Sequence, residues 1–456
     1  MKSCDNSSAE PPPLREQNLR FLAQTYDADQ NSALKTYQEQ KSCQLKNVLD
    51  VFVLFCKTCH MRTEQVTHGQ SQQSRPRARR PRASTASGPP EEQPENVEPT
   101  ALGVDARRRR GRGAISNESG RYEKEMRVLI DDGWESADSL PVLKTDVQIE
   151  RPRKIITRNQ SPDIPFDRSI NPYRGCEHGC SYCFARPTHA YMGLSPGLDF
   201  ETRLFAKLNA AALLERELSA PGYQVRPIAI GTNTDPYQPI ERQHGIMRQV
   251  LEVLEKARHP VTIVTKSALV LRDRDILERM AAQGLTKVGL SITTLDPKLA
   301  RSMEPRASTP AKRLEALRGL RDCGVPTMVM IAPVIPAMND HDIERILEAS
   351  AEAGATSAGY VLLRLPLEVS DIFKQWLTEH YPDRYRHVMS LIRSMRDGKD
   401  YDADWSVRMR GTGPYAAMIR QRFIAATKRL GLDQRTALVT DLFVPPRGGA
   451  VQLSLW

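Results

Sequence analysis

The hydrophobic pattern of the chain becomes regular beyond residue 155. From there, short apolar runs alternate with longer segments in which apolar side chains recur every three or four residues. The short runs predict buried strands, and the longer segments predict amphipathic helices. The predicted strands are residues 227–230, 261–264, 288–292, 327–331 and 359–363.

The predicted helices lie between these strands. The residues that mark their apolar faces are Leu204, Leu208, Ala211 and Leu218, then Ile246, Val250, Leu251 and Leu254, then Leu314 and Leu317, and finally Ile343, Ile346 and Leu347. Thr309 before Pro310 predicts a helix start, and Asp340 is a candidate cap for the next helix. A short strand leading into residue 176 brings the total to about six strand–helix units.

This alternation predicts an α/β protein with a parallel sheet, either open or curled into a partial (β/α)6 barrel. Reactive groups in such folds lie at the carboxyl ends of the strands. Each predicted strand is followed by a polar or proline-containing loop, at residues 231–239, 265–267, 293–296, 333–336 and 364–366. We therefore expect the functional site at this edge of the sheet.

The segments outside the repeating pattern differ in composition. Residues 70–113 are rich in Arg, Pro, Ser, Gly and Glu, and cannot bury enough apolar surface to fold alone. They are either a solvated linker or an arm that attracts nucleic acid. We predict five regions: a largely disordered, low-complexity basic extension at 1–113, an N-terminal segment at 114–165, the α/β core at 166–367, a helical region at 368–444, and a flexible tail at 445–456.

Charge and cysteine content narrow the class of protein. The 456 residues carry a formal net charge of +10 with a pI near 9.2, which is compatible with a polyanionic partner. No apolar run reaches membrane-spanning length, so no membrane partner is expected. Eight cysteines in a chain of this size, with no signal peptide, favour the reducing cytoplasm.

Three cysteines are grouped in one short run. Cys176, Cys180 and Cys183 have the spacing C-x3-C-x2-C, with Tyr182 just before the third, and no further cysteine follows within a hundred residues. Thiolates grouped in this way favour iron–sulfur clusters or zinc. Three ligands on a four-iron cluster would leave one iron open to a small molecule.

Two other interpretations of this run were weighed. A buried helical stripe of cysteines is disfavoured because Gly175 and Gly179 interrupt a helix. A zinc site would need His178 or His189 as the fourth ligand, and structural zinc sites usually place their ligands in two separated pairs. An iron–sulfur cluster is the interpretation that we favour.

Four motifs together resemble one enzyme group. They are the cysteine run, the loop Thr-Asn-Thr-Asp-Pro-Tyr at 232–237, the strand end Thr-Lys-Ser at 265–267, and Met-Glu-Pro-Arg at 303–306. This set resembles the radical S-adenosylmethionine (SAM) enzymes related to spore photoproduct lyase, the photolyase-like group. The resemblance covers roughly residues 110 to 440. It implies a partial barrel of the radical SAM type, in which the three cysteines hold a [4Fe–4S] cluster.

The resemblance also implies a SAM site and a reaction. Reductive cleavage of SAM would give a 5′-deoxyadenosyl radical that abstracts a substrate hydrogen, and the protein would bind and orient the reactants. The loop at 232–235 stands in the place of the Gly-Gly-Glu-like motif of the superfamily. The alternative is a loop stiffened by Pro236 and Pro239 with no role in SAM binding. The candidate SAM-binding residues are Thr234 and Asp235 for the methionine amino group, Lys266 for its carboxylate, Ser291 for the ribose, and Tyr182 and Val334 for adenine.

The substrate and the hydrogen donor are less well defined. Arg306 and Arg364 are candidate substrate or phosphate ligands, or else members of structural ion pairs. Spore photoproduct lyase uses a cysteine as hydrogen donor, whereas Cys323 is expected at the opposite, amino end of the sheet. Repair of that lesion is therefore doubtful, and the catalytic residues stay unassigned.

The C-terminal region is predicted to be helical, with a basic, glycine-rich loop at residues 408–415. This loop could approach a phosphate backbone, but a turn that connects two helices is the interpretation that we favour. The tail at 452–456, Gln-Leu-Ser-Leu-Trp, resembles the bacterial sliding-clamp-binding peptide, with Trp in place of Phe. The alternative is a terminal strand that packs on its own domain.

These observations give three function hypotheses. The first is a cytoplasmic radical SAM enzyme, lyase-like, that acts on nucleic acid in DNA repair, with flavodoxin or ferredoxin as electron donor. The second is a radical SAM enzyme that modifies RNA or a protein side chain. The third is a non-catalytic zinc protein that binds nucleic acid.

Overall fold

A computed structural model describes residues 103–127 and 141–446 of the chain. The strands are β1 Asp146–Ile149, β2 Ile156–Arg158, β3 Arg168–Ile170, β4 Tyr173–Arg174, β5 Arg203–Ala206, β6 Ile228–Ile230, β7 Val261–Thr265, β8 Thr286–Ser291, β9 Thr327–Val334 and β10 Ser357–Leu362.

The α-helices are α1 Asp199–Thr202, α2 Ala210–Leu218, α3 Glu241–His244, α4 Ile246–Lys256, α5 Arg274–Ala281, α6 Pro297–Met303, α7 Pro310–Asp322, α8 Ile343–Glu352, α9 Val369–His380, α10 Tyr385–Ser394 and α11 Gly413–Arg429. Short 3-10 helices cover Arg186–Thr188, Ala190–Met192, Ala268–Asp273, Asp340–Asp342 and Pro382–Arg384.

The larger sheet has seven strands in the order β10-β9-β8-β7-β6-β3-β2. The six strands from β3 to β10 in this order pair in parallel, and β2 adds an antiparallel edge. Strand-to-strand connections run through helices, as parallel pairing requires. The predicted α/β fold with a parallel sheet is confirmed, and the sixth parallel strand is the short one that precedes the cysteine run.

The core forms because each element buries the face that its sequence makes apolar. In β6, Ile228 and Ile230 are fully buried. In α4, Ile246, Val250 and Leu254 line one side of the helix and pack into the same cluster. Burial of such side chains contributes about 1.5–3 kcal/mol each. This packing fixes the carboxyl ends of the strands, where the polar loops begin.

Two helix assignments from the sequence were wrong. Leu204 lies in β5, where it pairs with Val147 of β1, and Leu208 precedes α2 with an exposed side chain. Asp340 does not cap α8: the helix follows Asp342, and the Asp340 carboxylate instead accepts a hydrogen bond from the Tyr415 hydroxyl at 2.5 Å. Both differences come from contacts with distant parts of the chain.

A small second sheet supports the cysteine run. Strand β5 pairs in parallel with β1 and antiparallel with β4, which ends two residues before Cys176. The Cys176 N–H also donates to the Phe200 carbonyl at 2.9 Å. This sheet therefore fixes the start of the loop that carries the cysteines.

The ends of the described chain pack on this core. Arg112 and Gly113 are buried, so folded structure begins before the predicted boundary at residue 114. The C-terminal region is helical, as predicted, and buries Phe373 and Trp376 of α9. Within the described residues, no helix has both the length and the apolar composition needed to cross a bilayer.

Candidate functional site

The three cysteines lie in one buried loop rather than in a helix. Gly175 and Gly179 have φ values of +72° and +66°, a left-handed conformation that glycine adopts most readily. A side chain on Gly175 would clash with the Leu204 side chain and the Phe200 carbonyl. The loop therefore turns sharply twice between Gly175 and Cys183, which excludes the helical stripe.

The three thiols face a common environment. They interact electrostatically, and burial raises the pKa of each, with Asp235 adding to the effect at Cys176 and Glu304 at Cys180. Grouped, buried thiols are costly to ionise alone, and a metal centre is what stabilises their thiolate form.

The structure does not support the zinc alternative. Among the described residues, no group of three or more His, Cys, Asp or Glu side chains is arranged to hold a single ion. His189 Nε2 is 2.9 Å from the Arg203 carbonyl oxygen, and His178 Nδ1 is 3.4 Å from Asp235 Oδ2. Both candidate fourth ligands thus have other neighbours. A cluster that takes one thiolate per iron does not require the ligands to converge on one ion.

A buried ion pair that the sequence reasoning missed anchors the cysteine loop. Arg186 Nε donates to the Cys180 carbonyl at 2.9 Å, and its Nη2 donates to Glu201 at 2.5 Å. Glu201 also accepts the N–H groups of Gly113 and Ala114, at 2.9 and 2.8 Å. Arg186 and Glu201 are 15 residues apart in the sequence. Together they tie the cysteine loop to the segment that begins near residue 110.

Gly113→Ala is expected to loosen this anchor. A Cβ at residue 113 would lie 1.6 Å from the Gly179 carbonyl oxygen, so the backbone of the loop must shift. We expect impaired cluster assembly, measured as iron per protein after anaerobic reconstitution, and a lower thermal unfolding midpoint. Gly111→Ala is the control, since nothing lies near its Cβ and its positive φ costs only about 1–2 kcal/mol. Equal iron content in both variants would contradict the anchor.

The polar side chains of the loop after β6 form hydrogen bonds with other parts of the protein. Thr234 Oγ1 donates to the Tyr173 carbonyl at 3.0 Å. Asp235 accepts hydrogen bonds from Tyr237 N at 2.9 Å, Thr265 Oγ1 at 2.7 Å and Lys266 N at 2.7 Å. Burial opposes ionisation of Asp235, but nearby His178 and these hydrogen bonds outweigh it and lower its pKa. The carboxylate therefore links the ends of β6 and β7, and its contact with SAM stays a prediction.

Lys266 and Ser291 meet at the carboxyl ends of β7 and β8. Lys266 Nζ donates to Ser291 Oγ at 2.6 Å and to the Ala332 carbonyl at 3.1 Å. The ammonium lies 3.4 Å from Glu304 Oε1 and 5.7 Å from the centre of the Tyr182 ring. The structure thus brings together four residues from separate loops, beside Cys180.

Glu304 is the central acceptor of this cluster, a role that the sequence analysis did not assign to it. Its buried carboxylate accepts hydrogen bonds from the Tyr182 hydroxyl, from Thr293 Oγ1 at 2.9 Å and from Arg313. Burial alone would raise its pKa, but Arg313 and Lys266 lower it to about 2. Within this cluster, the cations Arg313 and Lys266 face the single carboxylate of Glu304.

The remaining candidates lie at the same edge. Val334 ends β9, is fully buried, and its carbonyl accepts from Leu363 N at 2.9 Å. Arg306 pairs with Glu177 at 3.0 Å, which supports the structural alternative for that arginine. Arg364 instead packs over the ring of Phe184, 4.7 Å from its centre.

Comparison with known proteins gives the family. Residues 170–349 match the radical SAM superfamily. An uncharacterized protein of Mycobacterium tuberculosis is 38% identical over 230 residues, which are 49% of this chain and 68% of that protein. One of Methanocaldococcus jannaschii is 30% identical over 219 residues, 48% and 78% of the two chains. The solved structure of spore photoproduct lyase complexed with dinucleoside spore photoproduct is 16% identical, with a TM-score of 0.43 over 62% of this chain and 78% of that one.

The chain therefore belongs to the radical SAM superfamily. Its cofactors are a [4Fe–4S] cluster and S-adenosylmethionine. The described residues fit them: three thiols, two buried and one half-buried, share one loop, and hydroxyl and ammonium groups lie at the adjacent strand ends.

Proposed function

We propose that this protein is a lyase-like radical SAM enzyme of the cytoplasm that acts on nucleic acid in DNA repair. Cys176, Cys180 and Cys183 hold the cluster in this proposal. When bound, the reduced cluster and SAM supply a 5′-deoxyadenosyl radical that removes a hydrogen atom from the substrate. The protein's share is to bind, orient and exclude competing reactions.

The proposed SAM site consists of residues at neighbouring strand ends. Lys266 has an ammonium that suits the methionine carboxylate, and Ser291, 2.6 Å away, has a hydroxyl that suits the ribose. Thr234 and Asp235 face the methionine amino group in this proposal, and the backbone of Tyr182 and Val334 contacts adenine. The support is placement: all of these residues lie at the edge where the parallel strands end.

One observation carries the choice of nucleic acid as substrate. Phe184 follows Cys183 directly and is 43% exposed, although it is a large apolar side chain. The Arg364 guanidinium lies over its ring, and the buried Nε of Arg364 has no hydrogen-bond partner among the described residues. An exposed ring with an arginine is the arrangement on which proteins stack bases and contact phosphate.

The Phe184→Leu variant tests this proposal. We expect it to bind single-stranded DNA about tenfold more weakly than wild type, since base stacking is worth roughly 1–3 kcal/mol. Leucine keeps the apolar bulk and removes only the aromatic face. Binding is measured anaerobically by fluorescence anisotropy with the reconstituted holoenzyme. Ile149→Ala, an exposed apolar residue of β1, is the matched control.

Two results would count against the proposal. One is equal DNA affinity of Phe184→Leu and wild type. The other is substrate-stimulated SAM cleavage by a peptide and not by ultraviolet-damaged DNA, which would favour modification of a protein side chain. Cleavage is followed as 5′-deoxyadenosine formed after reduction of the cluster.

The remaining partners are predictions. Flavodoxin or ferredoxin is the expected electron donor, because the cluster must be reduced before SAM is cleaved. The predicted clamp-binding-like peptide at residues 452–456 lies outside the described residues, as do residues 1–102 of the predicted basic extension at 1–113.

A further inference from the structure

A cleft of about 420 Å³ lies where the last helix begins. It is lined by residues 410–412 of the preceding turn and by Gly413, Ala416, Ala417, Arg420, Gln421 and Ile424 of α11. None of these lining residues is acidic. The cleft belongs to neither the cysteine loop nor the proposed SAM site.

The two arginines of the cleft have no ion-pair partner among the described residues, unlike the arginines next to them in the sequence. Arg408 forms a two-point ion pair with Asp163, at 2.6 Å for each contact, and Arg422 forms one with Glu344, at 2.8 and 2.6 Å. Arg410 and Arg420 make no ion pair within residues 103–127 and 141–446. Their side chains are exposed, and both act electrostatically on Tyr360, so two unneutralised guanidinium groups share one region.

The backbone beside the cleft forms a tight turn that leads into α11. Gly411 and Gly413 have φ values of +65° and +81°, which allow the turn to fold back tightly. Thr412 is the N-cap of the 17-residue helix α11, and no side chain caps the first turn. The N-terminus of α11, the positive end of its dipole, therefore lies at the turn that carries Arg410.

The turn that lines the cleft is connected to Arg364 through two residues. Arg364 packs on Phe184, and its Nη1 lies 3.7 Å from Met409 Sδ. The Leu362 N–H donates a hydrogen bond to the Met409 carbonyl at 2.9 Å. Gly411 packs against the side chain of the same leucine. Contacts through Met409 and Leu362 therefore connect Arg364 to the turn that lines the cleft.

We propose that this cleft binds phosphodiester groups of the nucleic-acid substrate, through Arg410 and Arg420. The inference rests on the proposed function and adds a second contact point for the same strand. Guanidinium groups suit phosphate because they donate two parallel hydrogen bonds to its oxygens. Phosphate contacts fix the register of a strand without reading its sequence.

The test uses the reconstituted holoenzyme and a fluorescently labelled single-stranded DNA oligonucleotide. The double variant Arg410→Gln/Arg420→Gln is expected to bind about tenfold more weakly at low salt, with a salt-dependence slope lower by about 1.4, because each lost contact to a single strand removes about 0.7. Arg410→Lys/Arg420→Lys keeps the charge and is expected to recover most of the slope. Lys428→Gln removes one charge from the far end of α11 and is the control.

Three outcomes would overturn the proposal. They are an unchanged slope in the glutamine variant, an equal loss in Lys428→Gln, or competition by millimolar inorganic phosphate that abolishes binding, which would indicate a small-anion site. Both double variants are compared with wild type by thermal unfolding, so that a fold defect is recognised. Absence of SAM cleavage by wild type would instead contradict the proposed function. The salt-dependence slopes would still decide whether the cleft binds the strand.

Discussion

The Cys180→Ala protein is expected to lose SAM cleavage almost completely. Each thiolate of the run supplies the only protein ligand to one iron in the proposed cluster. Removing a partner that merely orients a metal ligand already costs about 10–100-fold, so removing the ligand itself should cost more than that. We therefore expect a loss of over about 100-fold in 5′-deoxyadenosine formation, together with loss of most cluster iron.

The measurement pairs iron and sulfide content with the rate of SAM cleavage after anaerobic reconstitution. Cys323→Ala is the control: Cys323 follows α7 and precedes β9, at the end of the sheet opposite to the cysteine loop. It is expected to match wild type in both quantities. A Cys180→Ala protein with full cluster content and a normal cleavage rate would contradict the assignment.

The Glu304→Gln protein is expected to be much less stable than wild type. Glu304 and Arg313 are both buried, and the substitution leaves the Arg313 charge without its carboxylate. Breaking a buried pair in this way costs about 3–5 kcal/mol. For a protein of this size, that corresponds to a fall of roughly 5–10 °C in the thermal unfolding midpoint.

Glu315→Gln is the matched control, because Glu315 pairs with Lys312 on the surface, where both side chains are more than half exposed. Such a pair contributes about 0–1 kcal/mol, so little change is expected. If the two glutamine variants unfolded at the same temperature, Glu304 would not be the central acceptor of a buried cluster.

The pH dependence gives an independent check on Glu304. Its pKa is about 2 in the folded protein and near 4.5 when unfolded, so ionised Glu304 stabilises the folded state fully above pH 4.5. That contribution is lost as the pH falls toward 2. The difference in unfolding midpoint between wild type and Glu304→Gln should therefore be constant at neutral pH and shrink below pH 4.5. A difference that grew on acidification would have the wrong sign.

The α/β fold and the cysteine run could be predicted from the sequence because their signals are local. The run of three cysteines is a spacing of a few residues, and the α/β fold follows from periodicity within windows shorter than one helix. Neither the cysteine spacing nor the periodicity depends on tertiary contacts. The helix over residues 246–256 and the Thr309 cap were confirmed for the same reason: the Thr309 side chain accepts a hydrogen bond from Lys312, three residues on.

The assignments that failed depend on distant partners. Leu204 fits a helical pattern, yet it lies in a strand because β1 and β4 offer backbone partners on both sides. The acceptor role of Glu304 needs Tyr182, 122 residues away, as well as Arg313. Its position in the Met-Glu-Pro-Arg stretch at 303–306 marks Glu304 as part of a family motif. The sequence does not indicate which residues donate hydrogen bonds to it.

The sequence by itself therefore determined the parallel sheet, the edge that carries the loops, and the three cysteines. Only the tertiary structure decided which charges are neutralised and which stay free. Arg306 and Arg364 are equivalent as residue types, but one pairs with Glu177 and the other lies over an exposed ring. The reason is physical: local pattern fixes which faces are buried, whereas the partner of a charge is set by segments that meet only after folding.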